Sequence, residues 1–280
     1  MTTTQNIIIS IVEGLTEFLP VSSTGHMIIT EKILKVTQDD FSKVFTIAIQ
    51  LGAILAVVVL YWKKFFNFKN WQFYVKIAVG VVPALLLGFL LSDKIDALLE
   101  SSTTVAISLL AGGIILLFID NVFKNPTVDK EEDISFFKAI MIGTWQCIAM
   151  IPGVSRSAAS IIGGMQQKLT RNAAAEFSFF LAVPTMLAAT SYKLLKYYKD
   201  YGGFTSNEIK QLAIGNVVAF VVALLAIKFF IGFINSFHRG AGKQILQFHL
   251  NHRCITTRFS KFSTLHNHRV STNHYDITRA

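Results

Sequence analysis

The sequence predicts an all-α, multi-pass membrane protein, arranged as an inverted repeat with two re-entrant helical hairpins. The first observation behind this prediction is composition. Of 280 residues, 52% are hydrophobic and 15% are charged, and the mean hydropathy is +0.50. Soluble domains carry about 25% charged residues. The second observation is that the later half of the chain repeats features of the earlier half in the same order.

Seven apolar blocks define the elements along the chain. A helix that crosses the bilayer core needs about 20 apolar residues. Five blocks satisfy this requirement and are predicted to span: 44–61, 73–91, 103–119, 176–192 and 210–234. The two remaining blocks are shorter and more polar, which is typical of re-entrant or interfacial segments: 6–21 and 136–151.

The repeat appears when the chain is aligned with itself at a shift of 132 residues. Pro20 then meets Pro152, and a cluster of Ser and Gly follows each proline. Phe45 in "FTIAIQLGAILAV" meets Phe177 in "FSFFLAVPTMLAA", and "IAVGVVPA" meets "LAIGNVVA" at a shift of 135. The first half reads as one short block and three spans. An odd number of spans inverts the second copy, so the two short blocks would enter from opposite faces and meet near the midplane.

The domain organisation follows from this repeat. We expect a single membrane domain over 1–237, with repeat halves at about 6–119 and 136–237. The tail at 238–280 breaks the repeat, because it holds six of the seven histidines and cannot form the expected last span. We interpret the tail as foreign or out-of-frame sequence that replaces the last transmembrane helix. The alternative is a natural His-rich cytoplasmic tail that binds metal.

The net charge of +9 does not predict nucleic-acid binding, because most of it belongs to the tail. Residues 238–280 carry seven Lys and Arg but only one acid. The loop 61–76 has four lysines and no acid, which predicts a cytoplasmic loop, and the acidic loop 92–102 is then outside. The loop 193–210 also has four lysines, although inversion would place it outside.

The stretch "GLTEFLPVSSTGHM" concentrates polar residues inside an apolar chain. Glu13 and Glu17 are four residues apart and share one face of a short helix, where a divalent cation such as Mg²⁺ or Ca²⁺ would relieve their repulsion. Alternatively, the pair lies solvated at the interface. Ser22 follows as a candidate phosphate contact and Ser23 as a candidate catalytic residue, although a Ser before an apolar stretch also caps a helix. His26 suits proton transfer or nucleophilic attack.

The second polar stretch is "IPGVSRSAASIIGG". Gly153 frees the backbone after a proline, and Ser155 and Ser157 flank Arg156 at the predicted start of a helix. Free N–H groups at a helix start bind phosphate, and a guanidinium pairs two phosphate oxygens. Since 1–237 contains only two arginines, Arg156 is interpreted as a phosphate clamp and Arg171 as a loop residue.

Together these groups predict phosphoryl chemistry on a lipid with a phosphate head that enters sideways from the bilayer. The metal and Arg156 would stabilise charge on the transferred phosphoryl group. A channel or secondary transporter for a small anion or a lipid is the alternative, because inverted repeats also build pores.

At these residues the sequence resembles a known family. "VEGLTEFLPVSSTGHM" and "PGVSRSAAS" resemble the two signature motifs of bacterial undecaprenyl-diphosphatases, the bacitracin-resistance phosphatases, and the resemblance covers roughly residues 6 to 237. It implies hydrolysis of undecaprenyl diphosphate to the monophosphate carrier of cell-wall synthesis. It also implies dependence on a divalent cation, a place in the plasma membrane and a site that faces outward. The family has a final spanning helix where this chain has the tail.

The resemblance also assigns site residues. Ser160, a candidate phosphate contact, stands where the family more often has Thr, and the change keeps the hydroxyl. The other positions that match the motifs are Glu13, Glu17, Ser23, His26, Ser155 and Arg156. Three routes stay open: attack by His26, attack by Ser23 with His26 as base, or water activated by His26. We favour His26 as the nucleophile. The oligomeric state is left open, with a homodimer as one option.

Overall fold

The computed structural model describes residues 1–99 and 101–233, so the predictions for the tail at 238–280 lie outside the described residues. Regular structure in the described part is helical, which agrees with the predicted all-α class. The helices are α1 (Thr3–Thr16), α2 (Ser23–Ile33), α3 (Asp40–Ala48), α4 (Gln50–Leu60), α5 (Trp62–Phe65), α6 (Trp71–Leu90), α7 (Ser92–Leu99), α8 (Ser102–Val122), α9 (Phe136–Gln146), α10 (Arg156–Gln166), α11 (Arg171–Tyr201) and α12 (Ser206–Phe233).

In the described part of the chain, four helical segments are long and apolar enough to cross a membrane, where the sequence predicted five. They are Asp40–Leu60, Trp71–Leu90, Arg171–Tyr201 and Ser206–Phe233. The predicted fifth span, 103–119, lies within α8, which has 21 residues, a length that can cross the bilayer. The block is not among these four segments, so its crossing of the membrane stays a prediction.

The two short blocks form helices with defined ends. The predicted block 6–21 is α1, and Thr2 and Gln5 form a capping box at its start. The block 136–151 is α9 followed by the 3₁₀ helix Cys147–Met150, and Ser135 caps α9. Each short helix leads through a proline turn into a second helix, α2 or α10. Each pair therefore presents its turn, with the polar motif, as a tip.

The first helix of each sequence half packs on a helix of the other half. Asn6 of α1 donates from Nδ2 to the Gln211 carbonyl of α12 at 2.8 Å. A Cβ at Gly14 would come within 2.7 Å of the Ala219 carbonyl oxygen, so α1 and α12 are in backbone contact there. In the other half, Gly143 of α9 lies directly against the backbone of α6. Small residues allow such close crossings between membrane helices.

The outer surface of these helices is apolar. Large hydrophobic side chains are exposed along α6, α8 and α12, among them Phe89, Leu117 and Phe229. Contiguous exposed apolar surface of this kind marks contact with lipid or with another protein. Together with the four spanning segments, this surface identifies a membrane protein.

Candidate active site

The tips of the two motifs are joined by hydrogen bonds. Arg156, the first residue of α10, donates from Nη2 to Glu17 Oε1 at 2.6 Å. Ser157 donates from Oγ to the Leu19 carbonyl at 2.7 Å. Because Glu17 and Leu19 belong to the first motif and Arg156 and Ser157 to the second, the two motifs are in direct contact, as predicted; the entry of their tips from opposite membrane faces stays a prediction.

Glu17 is the centre of this contact. It is the C-cap of α1 and is 8% exposed. While Oε1 accepts from Arg156, Oε2 accepts from Ser23 Oγ at 2.5 Å. A buried carboxylate is stable only when it is paired and hydrogen-bonded, and these two donors meet that need. Glu17 therefore fixes Ser23 and Arg156 on either side of one carboxylate.

Arg156 is held by α11 as well as by Glu17. Its Nη1 donates to the Ser178 carbonyl at 3.2 Å, and Nη2 lies 3.5 Å from Met186 Sδ. The guanidinium also lies over the Phe18 ring, 5.9 Å from its centroid. Among the described residues, no partner is found for the buried Nε. The site thus keeps one oriented donor that an anionic ligand can use.

Some serines of the two motifs cap helices, and others form hydrogen bonds to neighbouring groups of the site. Ser22 has a left-handed backbone, with φ of 63°, and its Oγ accepts from the Gly25 amide as the N-cap of α2. Ser155 caps α10 and lies 3.0 Å from Ser157 through their hydroxyls. Ser160 donates to the Arg156 carbonyl and lies 2.6 Å from Ser178 Oγ. The hydroxyl of Ser160 therefore supports the backbone that carries Arg156.

Gly153 has a φ of 90°, which lies in the left-handed region that favours glycine. This agrees with the prediction that glycine gives the backbone conformational freedom at this position. A Cβ there would also lie 2.6 Å from the Val105 carbonyl of α8. In the other motif, a Cβ at Gly25 would meet the Leu109 side chain of α8 at 2.8 Å. The helix α8, which contains the block 103–119, therefore packs against both tips.

His26 makes its described side-chain bond within its own motif. Nδ1 lies 2.8 Å from the Ser22 carbonyl, and the residue is exposed. A carbonyl oxygen only accepts, so in the neutral ring Nδ1 carries the hydrogen and Nε2 carries the lone pair. The structure therefore orients Nε2 as the nitrogen available for proton transfer, but it does not bond His26 to Arg156.

Glu13 is fully buried, and neither of its carboxylate oxygens has a hydrogen-bond partner in the described part of the chain. Glu17 and Ser23 are its polar neighbours. A buried charged group without partners is costly, so these oxygens fit a bound cation. The described residues contain no cluster of three His, Cys, Asp or Glu that could hold a metal. Phosphate or water oxygens would have to complete the coordination.

Two residues of the site were missed by sequence reasoning. Ser178 and Met186 hold Arg156 from α11, where they lie in an apolar stretch without a motif. No signal in the sequence could have found them.

The hydrogen bond between Ser157 and the Leu19 carbonyl, which joins the two tips, can be tested by substitution. Ser157→Ala removes the donor to the Leu19 carbonyl, and we expect it to lower the free energy of unfolding by about 1 kcal/mol. Thr144→Ala is the control, because the Thr144 hydroxyl bonds only one turn back to Ile140 in α9. Thermal unfolding in detergent checks both variants. Equal effects would mean that the bond between the tips is no stronger than a local one.

The fold and the site together define a helical membrane protein with a buried cluster of a carboxylate, an arginine and a serine. Comparison with known proteins identifies it further. The model of the family described as bacitracin resistance protein BacA matches residues 6–240. The chain belongs to this family.

Curated relatives agree with the family match. An undecaprenyl-diphosphatase of Flavobacterium psychrophilum is 62% identical over 231 residues, which are 82% of this chain and 87% of that protein. The protein with the same name in Flavobacterium johnsoniae is 58% identical over 84% of this chain and 88% of its own length. That of Aquifex aeolicus is 45% identical over 84% of this chain and 91% of its own length.

Proposed function

We propose that this protein hydrolyses undecaprenyl diphosphate to undecaprenyl phosphate and inorganic phosphate, and so recycles the lipid carrier of cell-wall synthesis. The observation that carries the proposal is Glu17, which bonds both Ser23 and Arg156 and so brings a hydroxyl and an anion clamp together. The relatives named undecaprenyl-diphosphatase are the second support. The alternative of a channel or transporter finds no support in these relatives, because their name is that of a hydrolase.

Ser23 is the nucleophile in this scheme. As Oγ attacks the terminal phosphorus, its proton passes to Glu17 Oε2, to which it already donates. The bond from that phosphorus to the bridging oxygen breaks, and its electron pair leaves with the lipid monophosphate. Water then attacks the phosphorus of the phosphoserine, the bond from that phosphorus to Ser23 Oγ breaks with its electron pair left on Oγ, Glu17 returns the proton to Oγ, and inorganic phosphate is released. The sequence favoured His26 as nucleophile, and that route stays a prediction, because the bond of Nδ1 to the Ser22 carbonyl leaves the Nε2 lone pair free either to attack or to transfer a proton to or from water.

Arg156 stabilises the charge that develops on the transferred phosphoryl group. Its Nε is a buried donor without a partner among the described residues, and its other nitrogens are already oriented by Glu17 and Ser178. A preorganised donor needs no reorientation as the transition state forms. Ser155, Ser157 and Gly153 shape the start of α10 beside it, where backbone N–H groups favour an anion.

A divalent cation, Mg²⁺ or Ca²⁺, would be held by Glu13, with Glu17 beside it. Glu13 fits this role better, because both of its oxygens lack partners in the described chain, whereas those of Glu17 accept from Arg156 and Ser23. When bound, the cation supplies positive charge that binds the diphosphate oxygens. The attack, the proton transfer and the stabilisation of charge by Arg156 are carried out by the side chains named above.

The finer architecture belongs to the same proposal. We infer an inverted repeat whose re-entrant pairs, α1–α2 and α9–α10, meet inside the bilayer of the plasma membrane with the site facing outward. The reciprocal packing of α1 on α12 and of α9 on α6 supports a pseudo-two-fold relation. The serine caps of α2 and α10, 133 residues apart, support it as well.

The proposal is tested by phosphate release from detergent-solubilised undecaprenyl diphosphate, with the full chain, in Mg²⁺ and in EDTA. We expect release that depends on the cation. Glu13→Gln is expected to weaken apparent cation affinity by at least about tenfold. Glu132→Gln, which removes an exposed carboxylate, is the control and should leave it unchanged. The absence of release at every cation concentration would exclude the proposed activity, and equal cation dependence in both variants would exclude Glu13 as a ligand.

A further inference from the structure

The segment 61–76 connects two spanning segments and is rich in aromatic residues. It follows the span Asp40–Leu60, includes α5 and ends in the first turns of the span Trp71–Leu90. Eight of its sixteen residues are aromatic, and they include two of the three tryptophans of the chain. A segment in which one span ends and the next begins lies at the boundary between membrane and water.

Some of these rings pack inside the protein and fix the segment. Phe65 and Phe73 both make edge-to-face contacts with Phe180 of α11, with ring centroids 5.7 and 5.2 Å apart. The Tyr74 hydroxyl donates to the Phe65 carbonyl at 2.9 Å. The segment is therefore held against α11 on both sides of its turn at 66–70.

The other large rings face outward. Four of them are more than half exposed: Trp62, Phe66, Phe68 and Trp71. Exposed rings grouped on a fixed segment mark a surface that contacts lipid or another molecule. Because aromatic side chains at the ends of spans favour the headgroup region of a bilayer, lipid is the partner that this surface fits.

The positive charge of the segment is only partly balanced. It contains four lysines and no acid. Lys64 forms an ion pair with Glu131, and the buried Lys76 donates to the Glu132 carbonyl at 2.6 Å, so both lie beside acids from outside the segment. The two remaining lysines are exposed and have no partner among the described residues: Lys63 and Lys69.

We propose that the segment 61–76 binds the headgroups of anionic phospholipids. The four exposed rings enter the headgroup region, and the two exposed lysines pair with the negative charge of the lipid. A zwitterionic surface would suit the rings but would leave both ammonium groups without a counter-charge. The unpaired lysines are therefore the observation that favours an anionic lipid. The inference goes beyond the proposed function and does not depend on it.

The tryptophans of the segment report on the lipid beside it. The full chain is reconstituted in phosphatidylcholine vesicles that contain a fixed fraction of either brominated phosphatidylglycerol or brominated phosphatidylcholine, since bromine quenches tryptophan fluorescence at short range. We expect the parent chain to favour the anionic lipid by at least about fivefold in association constant, which is the contribution of one lysine near an anionic surface.

Lys63→Gln/Lys69→Gln should bring this preference close to one, because both unpaired charges are lost. Lys199→Gln/Lys210→Gln is the charge-matched control, since it removes two exposed lysines near the other end of α11. It should keep the preference of the parent chain, because quenching reports only lipid next to a tryptophan. If the parent chain shows no preference, or if both double variants lose it equally, the segment does not recognise anionic headgroups and the proposal is wrong.

A further variant tests the exposed rings. Phe66→Ser/Phe68→Ser removes two of them but keeps the lysines and both tryptophans of the segment. We expect quenching by either brominated lipid to fall, because the turn no longer enters the headgroup region. Thermal unfolding in detergent should stay close to that of the parent chain, since both rings are exposed. Unchanged quenching by both lipids in a folded variant would mean that these rings do not contact lipid, and the proposal would fail.

Discussion

Replacing Arg156 with lysine is expected to lower kcat/KM for undecaprenyl diphosphate by about 100-fold or more. The guanidinium bonds Glu17 and the Ser178 carbonyl at the same time and keeps Nε as a further donor. An ammonium group is a compact charge on a flexible stem, so it cannot reproduce the three directions of this fork. The loss should fall on the transition state, and therefore on kcat as well as on KM.

Arg171→Lys is the matched control, because it is the other arginine in the described part of the chain and begins α11 outside the site. We expect its kcat/KM to stay within about threefold of the parent, because Arg171 is half-buried outside the site and lysine keeps its charge. The double variant Arg156→Lys/Glu17→Gln measures how strongly the activity effects of the two residues are coupled. If the two residues act through their ion pair, Glu17→Gln costs less activity after Arg156→Lys than it does alone. Additive losses, or an active Arg156→Lys, would contradict the clamp.

The convergence of the two tips could be predicted because the signals for it are local and rare. Polar runs that follow prolines stand out within apolar blocks, and Arg156 is one of two arginines in residues 1–237. A buried arginine requires an acid, and Glu17 lay in the equivalent polar run. The repeat supplied the pairing of the runs. These features depend on residue type and order, which a sequence displays directly.

The supporting contacts could not be predicted, because they depend on which faces of distant helices meet. Ser178 and Met186 contact Arg156 from an apolar helix, and nothing in their local sequence indicates a polar role. Ser160 was assigned to phosphate, but its hydroxyl bonds to the Arg156 carbonyl and lies beside Ser178. The sequence does not show which group a serine hydroxyl will bond, because packing decides whether it faces a ligand or a backbone carbonyl.

The role of the block 103–119 was only partly predictable for a related reason. Composition placed it among the spanning blocks, and α8, which contains it, has 21 residues. The structure adds that α8 packs against the glycines of both tips. These contacts at Gly25 and Gly153 depend on tertiary packing and are not visible in hydropathy.

Gly143→Ala is expected to destabilise the protein by about 3 kcal/mol, the upper part of the usual range for overpacking. A Cβ at Gly143 would overlap the backbone of Gly80, where α9 crosses α6. Backbone atoms cannot move aside as a flexible side chain can, so the two helices must separate. Because α9 leads to the tip that carries Arg156, the same shift should also lower phosphatase activity.

Gly112→Ala is the control for this substitution, because a Cβ there meets nothing within 4 Å. Alanine also favours a helix over glycine by up to about 1 kcal/mol, so Gly112→Ala should leave thermal unfolding in detergent unchanged or raise its midpoint slightly. A difference between the two variants then measures the close approach of α9 to α6 rather than the general cost of changing a membrane glycine. If Gly143→Ala unfolds at the temperature of the parent chain, the two helices are not in backbone contact. The reciprocal packing that supports the inverted repeat would then lose one of its two crossings.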